Sequence, residues 1–329
     1  MPFSRTDLER ILANPTEHIA AFSRLLSEHS RGDPPVEVID AIVRLVVTTR
    51  PSQQFGVYVY DRITKIGSEA YGARKPAPAD VPIIEGLIAY CRAGRHQTFP
   101  NPDKQKLFHA KFFAREARLT NQLGLVSKGE FRPKAYDLYT HAIMLTEDGA
   151  LLGTFYSYRG IIAEQLGESN LSMMVTAAKD AVLSASYADA HRKFYEHAHA
   201  CKRFLRAATL VRQQETDDKI ERRTIERDHL GKCISSGLNA VESPYATPAI
   251  RGKCYNNMAR AAASLIPIAY CTDIRDSVGQ RRQYFAEAKE WYQKALELLT
   301  DEYHAPTVVQ IKHALARLDE NWAKHECAP

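Results

Sequence analysis

Between residues 131 and 186 the chain reads FRPKAYDLYTHAIMLTEDGALLGTFYSYRGIIAEQLG and then ESNLSMMVTAAKDAVLSAS: helix, short turn, helix, short turn, helix. Apolar and small residues recur at intervals of three and four, the spacing that puts them on one face of a helix. Long amphipathic helices joined by short turns must run antiparallel to their sequence neighbours. This predicts an all-α protein made of stacked antiparallel helix pairs.

The same periodicity extends in both directions. Near the start, Thr16 with Glu17 beside it can cap a helix that carries Ile19, Phe22, Leu25 and Leu26 on one face, with Arg31, Gly32 and Asp33 before Pro34 and Pro35 ending it. The segment VEVIDAIVRLVVTTR buries Val36, Ile39, Ile42, Val43 and Val46 if helical, although its Val and Ile content also suits a strand. SQQFGVYVYDRITKIGSEAYG is a further helix ending near Gly72, and IIEGLIAYCRAG is a short one between Pro-rich breaks at 73–82 and 99–103. Beyond residue 102 the pattern gives helices at 103–127, 133–147, 149–166, 171–186, 188–213, 215–240, 248–266, 280–300 and 306–325. The breaks divide the chain into an N-terminal helical region, 1–100, and a helical array, 101–329, unless one continuous solenoid runs through both.

Composition narrows the function classes only coarsely. The 44 Lys and Arg against 39 Asp and Glu leave +5, which permits an anionic partner without demanding one. Cys91, Cys201, Cys233, Cys254, Cys271 and Cys327 form no CxxC pair and no regular disulfide spacing, so a reducing compartment is the simpler expectation. The opening MPFSRTDLERILANPTEH has no apolar core of signal-peptide length, and its acidic residues argue against a transit peptide. No apolar run approaches the ~18 residues of a membrane span. The expected setting is cytoplasmic, extending to the nucleus, with no membrane partner.

One spacing occurs twice. Ala135, Tyr139, Ala142 and Ile143 place Ala, an aromatic four residues on, Ala three later and then an aliphatic; Ala288, Tyr292, Ala295 and Leu296 repeat it. This resembles the second helix of a tetratricopeptide repeat, a helix pair recurring about every 34 residues. In that family small residues let helix axes approach while the aromatic fills the groove beside them. FYSYRGIIAEQLG then looks like the first helix of a following repeat, with Gly160 at the close contact and Gly167 in the turn, and Ala177, Ala181 and Ala185 offer another close-packed face. The resemblance covers about a third of the chain, and IPIAYCTDIRDSVGQRR reads as an insertion between two helices. It implies a TPR-like α-α superhelix that binds a peptide or partner protein in its groove.

Some members of that family grip the C-terminal carboxylate of heat-shock proteins with Asn, Lys and Arg side chains. The corresponding positions here are Leu123, Tyr158 and Asp189, with Arg159 in place and Asn121 on a different helical face. The usual clamp is therefore not expected.

Two sets of candidate residues follow. Tyr136, Arg159 and Lys193 are the expected groove residues for a protein or peptide partner, weighed against ordinary surface or packing roles. On HRKFYEHAHACKRFLR, His191, Tyr195, His199, Lys202 and Arg206 form one cationic, aromatic stripe, while Phe194, Ala198, Cys201 and Leu205 face the core. Such a stripe suits RNA or another anionic ligand, but charged faces are also normal on solvated helices. His197 and Cys201 stand four apart without a second pair to complete a metal site. LGKCISSG lacks the upstream glycine of a phosphate loop, and no GxSxG, HExxH or dinucleotide fingerprint is present, so neither cofactor nor catalytic residue is expected. The sequence thus points to a non-enzymatic interaction scaffold, with an RNA-binding helical repeat protein as the alternative.

Overall fold

The structure, a computed structural model, describes residues 10–11, 19–28, 36–48, 51, 55–72, 75–99, 101–126, 131–215, 218–269 and 277–326. The described residues form thirteen α-helices and two single 3-10 turns, with no strand among them. The chain divides into two compact units, Met1–Ile162 and Ala163–Pro329.

Unit 1 contains α1 (Ile19–Glu28), α2 (Val36–Thr48), α3 (Val57–Gly72), α4 (Val81–Arg95), α5 (Pro102–Val126), α6 (Phe131–Met144) and most of α7 (Gly149–Leu166). Helices near in sequence pack together: α1 on α3, α2 on α3 and α4, α4 on α5, and α5 on α6. Because α5 also packs on α3, the core runs across the Pro-rich break near residue 100, joining Phe22, Ile42, Ile63 and Leu87 to Phe112 and Leu119.

The doubtful segment 36–48 is helical, but its buried face differs from the expected one. Val38, Ala41, Ile42, Leu45 and Val46 are buried, whereas Val36 is 68% exposed. Val36 begins the helix, outside the 38-42-45 stripe that meets α3 and α4, and Ile39 and Val43 lie only on that stripe's margin. On α1, Phe22, Leu25 and Leu26 are buried as their spacing requires. The expected cap at Thr16 and the stop at 31–35 lie outside the described residues.

Two contacts lock α4 in place. Gly86 lies so close to α2 that a Cβ would stand 2.4 Å from the carbonyl oxygen of Val46, a backbone atom with little freedom to move. Glu116 of α5, its side chain 2% exposed, meets Arg92 at 2.8 Å and Arg95 at 2.7 Å. Two guanidiniums thus balance one buried carboxylate.

Unit 2 contains α8 (Leu171–Tyr187), α9 (Ala190–Gln213), α10 (Lys219–Val241), α11 (Pro248–Ala269), α12 (Ser277–Leu298) and α13 (Ala305–Glu326). Asx residues set three of the starts: Asn170, Asp189 and Asp218 accept backbone N–H bonds at the heads of α8, α9 and α10. Much of the expected insertion at 266–282 is helix, because α11 continues to Ala269 and α12 begins at Ser277. Pro267 falls in the last turn of α11, where the bond it cannot donate is one of the last before the helix ends.

Each copy of the repeated spacing is buried in its own unit: Ala135, Tyr139 and Ala142 in α6, and Ala288, Tyr292 and Ala295 in α12. Ala177, Ala181 and Ala185 are buried along α8. At Gly167, a Cβ would meet the backbone nitrogen of Met174 at 2.7 Å, so the turn after α7 needs glycine for closeness.

The middle of unit 2 is α9, which packs on α8, α10 and α11. Phe194, Cys201 and Leu205 are buried as expected, but a second stripe, Ala200, Arg203, Ala207 and Leu210, is buried too. Arg203 is 1% exposed; its Nε donates to Glu164 Oε2 at 2.8 Å and its Nη1 to the carbonyl of Ala177 at 3.1 Å. Lys202 reaches the other Glu164 oxygen at 2.7 Å from the solvent side.

Buried titratable groups make unit 2 sensitive to acid. Burial lowers the pKa of His229 from the ordinary 6.5, with Asp228 opposing and Lys232 and Lys179 adding to the shift. Burial also lowers that of His197, helped by Lys193 and opposed by Glu196. Below pH 6.5 the unfolded chain takes protons that the folded imidazoles refuse, so stability falls as the pH drops through that window. Glu164 acts at lower pH: burial raises its pKa, but Lys202 and Arg203 outweigh that and hold it below the usual 4.5. Its contribution is present above that value and is lost on further acidification. Thermal melts followed by tryptophan emission are expected to be flat from pH 8 to 7 and to drop between pH 6.5 and 5. His229→Gln should reduce that upper slope; an unchanged slope would remove His229 from the account.

Candidate functional site

In unit 1, single faces of three helices meet around a cleft of about 520 Å3. Tyr58, Asp61 and Lys65 come from α3; Phe108, Lys111, Arg115 and Arg118 from α5; Leu151, Phe155 and Tyr158 from α7. Within each helix these residues stand three or four apart, so helical geometry turns them the same way. Tyr139 of α6 lines the same space.

The rings support one another. Tyr58 meets Phe108 edge to face at 5.5 Å, Phe108 stacks on Phe99 at 4.8 Å, and Tyr158 lies parallel to Tyr139 at 5.9 Å. Cations sit over two of these rings: Lys111 Nζ is 5.2 Å from the Phe108 centroid, and the Arg118 guanidinium is 5.4 Å from that of Tyr158. Burial, with Tyr158 adding and Arg118 opposing, raises the Tyr139 hydroxyl pKa far above the ordinary range, keeping it neutral. Arg115 is already committed, donating to Asp61 Oδ1 at 2.7 Å and Thr64 Oγ1 at 3.0 Å. Lys65, Lys111 and Arg118 add positive charge, so cations outnumber Asp61 and Glu69 in the wall.

The expected groove residues are only partly united. The Arg159 guanidinium lies 5.5 Å from the Tyr136 ring and 5.3 Å from the Tyr156 ring, and its Nη1 donates to Thr140 Oγ1 at 3.3 Å. Tyr136 and Arg159 therefore pair, but neither is part of the cleft wall. Lys193 belongs to unit 2, where it borders a separate hollow of about 540 Å3 with Phe194, His197 and Tyr245.

The stripe on α9 is a single exposed face, as its spacing predicts: His191, Tyr195, His199, Lys202 and Arg206 all face solvent. Its cations are engaged within unit 2, Lys202 with Glu164 and Arg206 with the carbonyl of Glu168 at 3.1 Å. His191 packs on Tyr245 with ring centroids 4.0 Å apart. The clamp positions serve other purposes: Leu123 is core, Tyr158 stacks on Tyr139, and Asp189 caps α9.

Cys201 meets Cys233 at 3.6 Å between sulfurs, and with Cys254 they are buried free thiols. Among the described residues, no group of three or more His, Cys, Asp or Glu is arranged to hold a metal ion. No described helix is long and apolar enough to cross a membrane.

No known protein family matches the chain, and none of the curated proteins matches it.

The cleft had a partial trace in the sequence. Phe108, Lys111, Arg115 and Arg118 at intervals of three and four mark an aromatic, cationic face of α5, but its partner helices lie some forty residues away on either side.

Proposed function

We propose that the chain is a non-enzymatic helical scaffold that holds a peptide, or an extended segment of a partner protein, in the tyrosine-lined cleft of unit 1. One observation carries the reading: rings fixed against one another, with cations over them, surround an open cleft of about 520 Å3. Tyr and Arg are enriched at protein-recognition hot spots, and Tyr offers a large, stiff, amphipathic contact at low entropic cost. The positive wall favours a segment that carries carboxylates beside an aromatic or aliphatic side chain.

The buried Ala-aromatic-Ala spacing in α6 and α12 supports treating the helix pairs as degenerate tetratricopeptide-like repeats. Buried free thiols at Cys91, Cys201, Cys233 and Cys254 fit a reducing setting, cytoplasmic or nuclear. The RNA reading has less support, because Lys202 and Arg206 already have partners inside unit 2.

Selection of random dodecapeptides displayed on phage tests the proposal. The expected result is a family of acidic, aromatic-containing binders whose affinity falls about tenfold with Tyr58→Ala. Tyr58 is 52% exposed, so its truncation spares the core. Binders indifferent to Tyr58→Ala would contradict the assignment.

A further inference from the structure

Three cysteines from three consecutive helices meet in the core of unit 2: Cys201 of α9, Cys233 of α10 and Cys254 of α11. All are free thiols, none more than 1% exposed. Burial alone is ordinary, because a free cysteine packs as a small hydrophobe. What singles out this group is contact between sulfurs across a helix interface. Cys201 Sγ stands 3.6 Å from Cys233 Sγ, and Cys201 also hydrogen-bonds with Cys254.

The contact is held from several sides. The Cys233 thiol donates to the Asn257 carbonyl at 3.8 Å. Gly237, one turn beyond Cys233 on α10, leaves room where a Cβ would stand 3.2 Å from Cys201 Sγ and 2.5 Å from the Met258 side chain. The two sulfurs are thereby kept against each other. A disulfide sets its sulfurs about 2 Å apart, so this pair has about 1.5 Å to close, a displacement on the scale of a side-chain rotation.

We propose that Cys201 and Cys233 form a disulfide under peroxide, a covalent clasp between α9 and α10 that makes unit 2 redox-sensitive. One thiolate attacks the O–O bond of hydrogen peroxide, giving a sulfenic acid and hydroxide. The other sulfur then displaces hydroxide from the sulfenic sulfur, forming the S–S bond. The two thiol protons join the two hydroxides, so two thiols and one peroxide give one disulfide and two waters. The site stands independently of peptide binding in unit 1.

Access sets the rate. The hydrogen bond with Cys233, followed by burial, raises the Cys201 pKa well above the ordinary 9.0, against an opposing hydrogen bond from Cys254. Thiolate is therefore scarce in the closed core, and oxidation waits on local opening between α9 and α10. Once one sulfur is oxidised, its resolving partner is already in contact. The clasp thus records sustained exposure to oxidant rather than a brief pulse. It would join residues 32 apart, restricting the unfolded chain and so stabilising the folded unit.

The test incubates the full, folded chain with hydrogen peroxide for hours, blocks remaining thiols with N-ethylmaleimide in denaturant, and reads the cysteine linkages by mass spectrometry without reduction. The expected product is a Cys201–Cys233 linkage, with Cys91 of unit 1 recovered as a blocked thiol. The urea midpoint followed by tryptophan emission should rise by about 1 M on oxidation and return with dithiothreitol. Cys201→Ala should abolish both the linkage and the rise, while Cys254→Ala should leave both in place. If Cys201→Ala fails to fold, Cys233→Ala should abolish both in its stead. Oxidation that stops at sulfenic or sulfinic acid, linkages scattered among the cysteines, or an oxidised form no more stable than the reduced one would overturn the proposal.

Discussion

Glu164→Ala is expected to destabilise unit 2 by about 3 kcal/mol, because it leaves the Arg203 guanidinium buried without its counter-charge. The Arg203 side chain is 2% exposed, whereas Glu164 is 25% exposed and Lys202 64%. Removing Lys202 breaks an ion pair of similar length but leaves a carboxylate that still has Arg203, so Lys202→Ala should cost at most about 1 kcal/mol. Arg203→Met in the Glu164→Ala background should recover part of the loss, since the unpaired charge is then gone. Urea unfolding at pH 7, followed by tryptophan emission, measures all three. Equal costs for Glu164→Ala and Lys202→Ala would contradict the buried-charge account.

Tyr139→Ala should cost about 3–4 kcal/mol in unit 1, the range for deleting a large buried aromatic ring. Tyr139 is 2% exposed and contacts both Phe155 and Tyr158. Tyr139→Phe keeps those ring contacts and should cost about 1 kcal/mol or less. Unfolding monitored by circular dichroism measures the Tyr139→Ala loss. A small effect would mean that the repeated Ala-aromatic-Ala spacing does not govern packing here.

Local order was the legible part of the fold. Helices declare themselves through residues three and four apart, and nearly every long one stands within a few residues of its expected limits. The misplaced face of α2 arose because Val36, Ile39 and Val43 are as apolar as the residues that are buried, and only contact with α3 and α4 decides between them. Arg203 was hidden for a related reason. Between Lys202 and Arg206 it reads as one more surface cation, until α8 and α10 close on both sides of α9 and bury a second stripe.

Site residues were less legible because sites here are made by convergence. The α9 stripe was visible as a face, but the groups that engage it, the Glu164 carboxylate and the Glu168 carbonyl, stand some forty residues earlier. The cleft brings Tyr58, Lys111 and Tyr158 together from helices spread over about a hundred residues. No spacing rule reaches that far. Tyr136 of α6 and Arg159 of α7 lie against each other, outside the cleft wall.

The most direct measurement of the central claim is photo-crosslinking of a selected acidic peptide that carries a benzophenone beside its aromatic residue, with the attachment points read by mass spectrometry. The account predicts crosslinks to the unit 1 segments that contain Tyr58, Lys111 and Tyr158, suppressed by unlabelled peptide and unaffected by excess oligouridine. Crosslinks concentrated on the His191–Arg206 face of α9, or displaced by oligouridine, would contradict it.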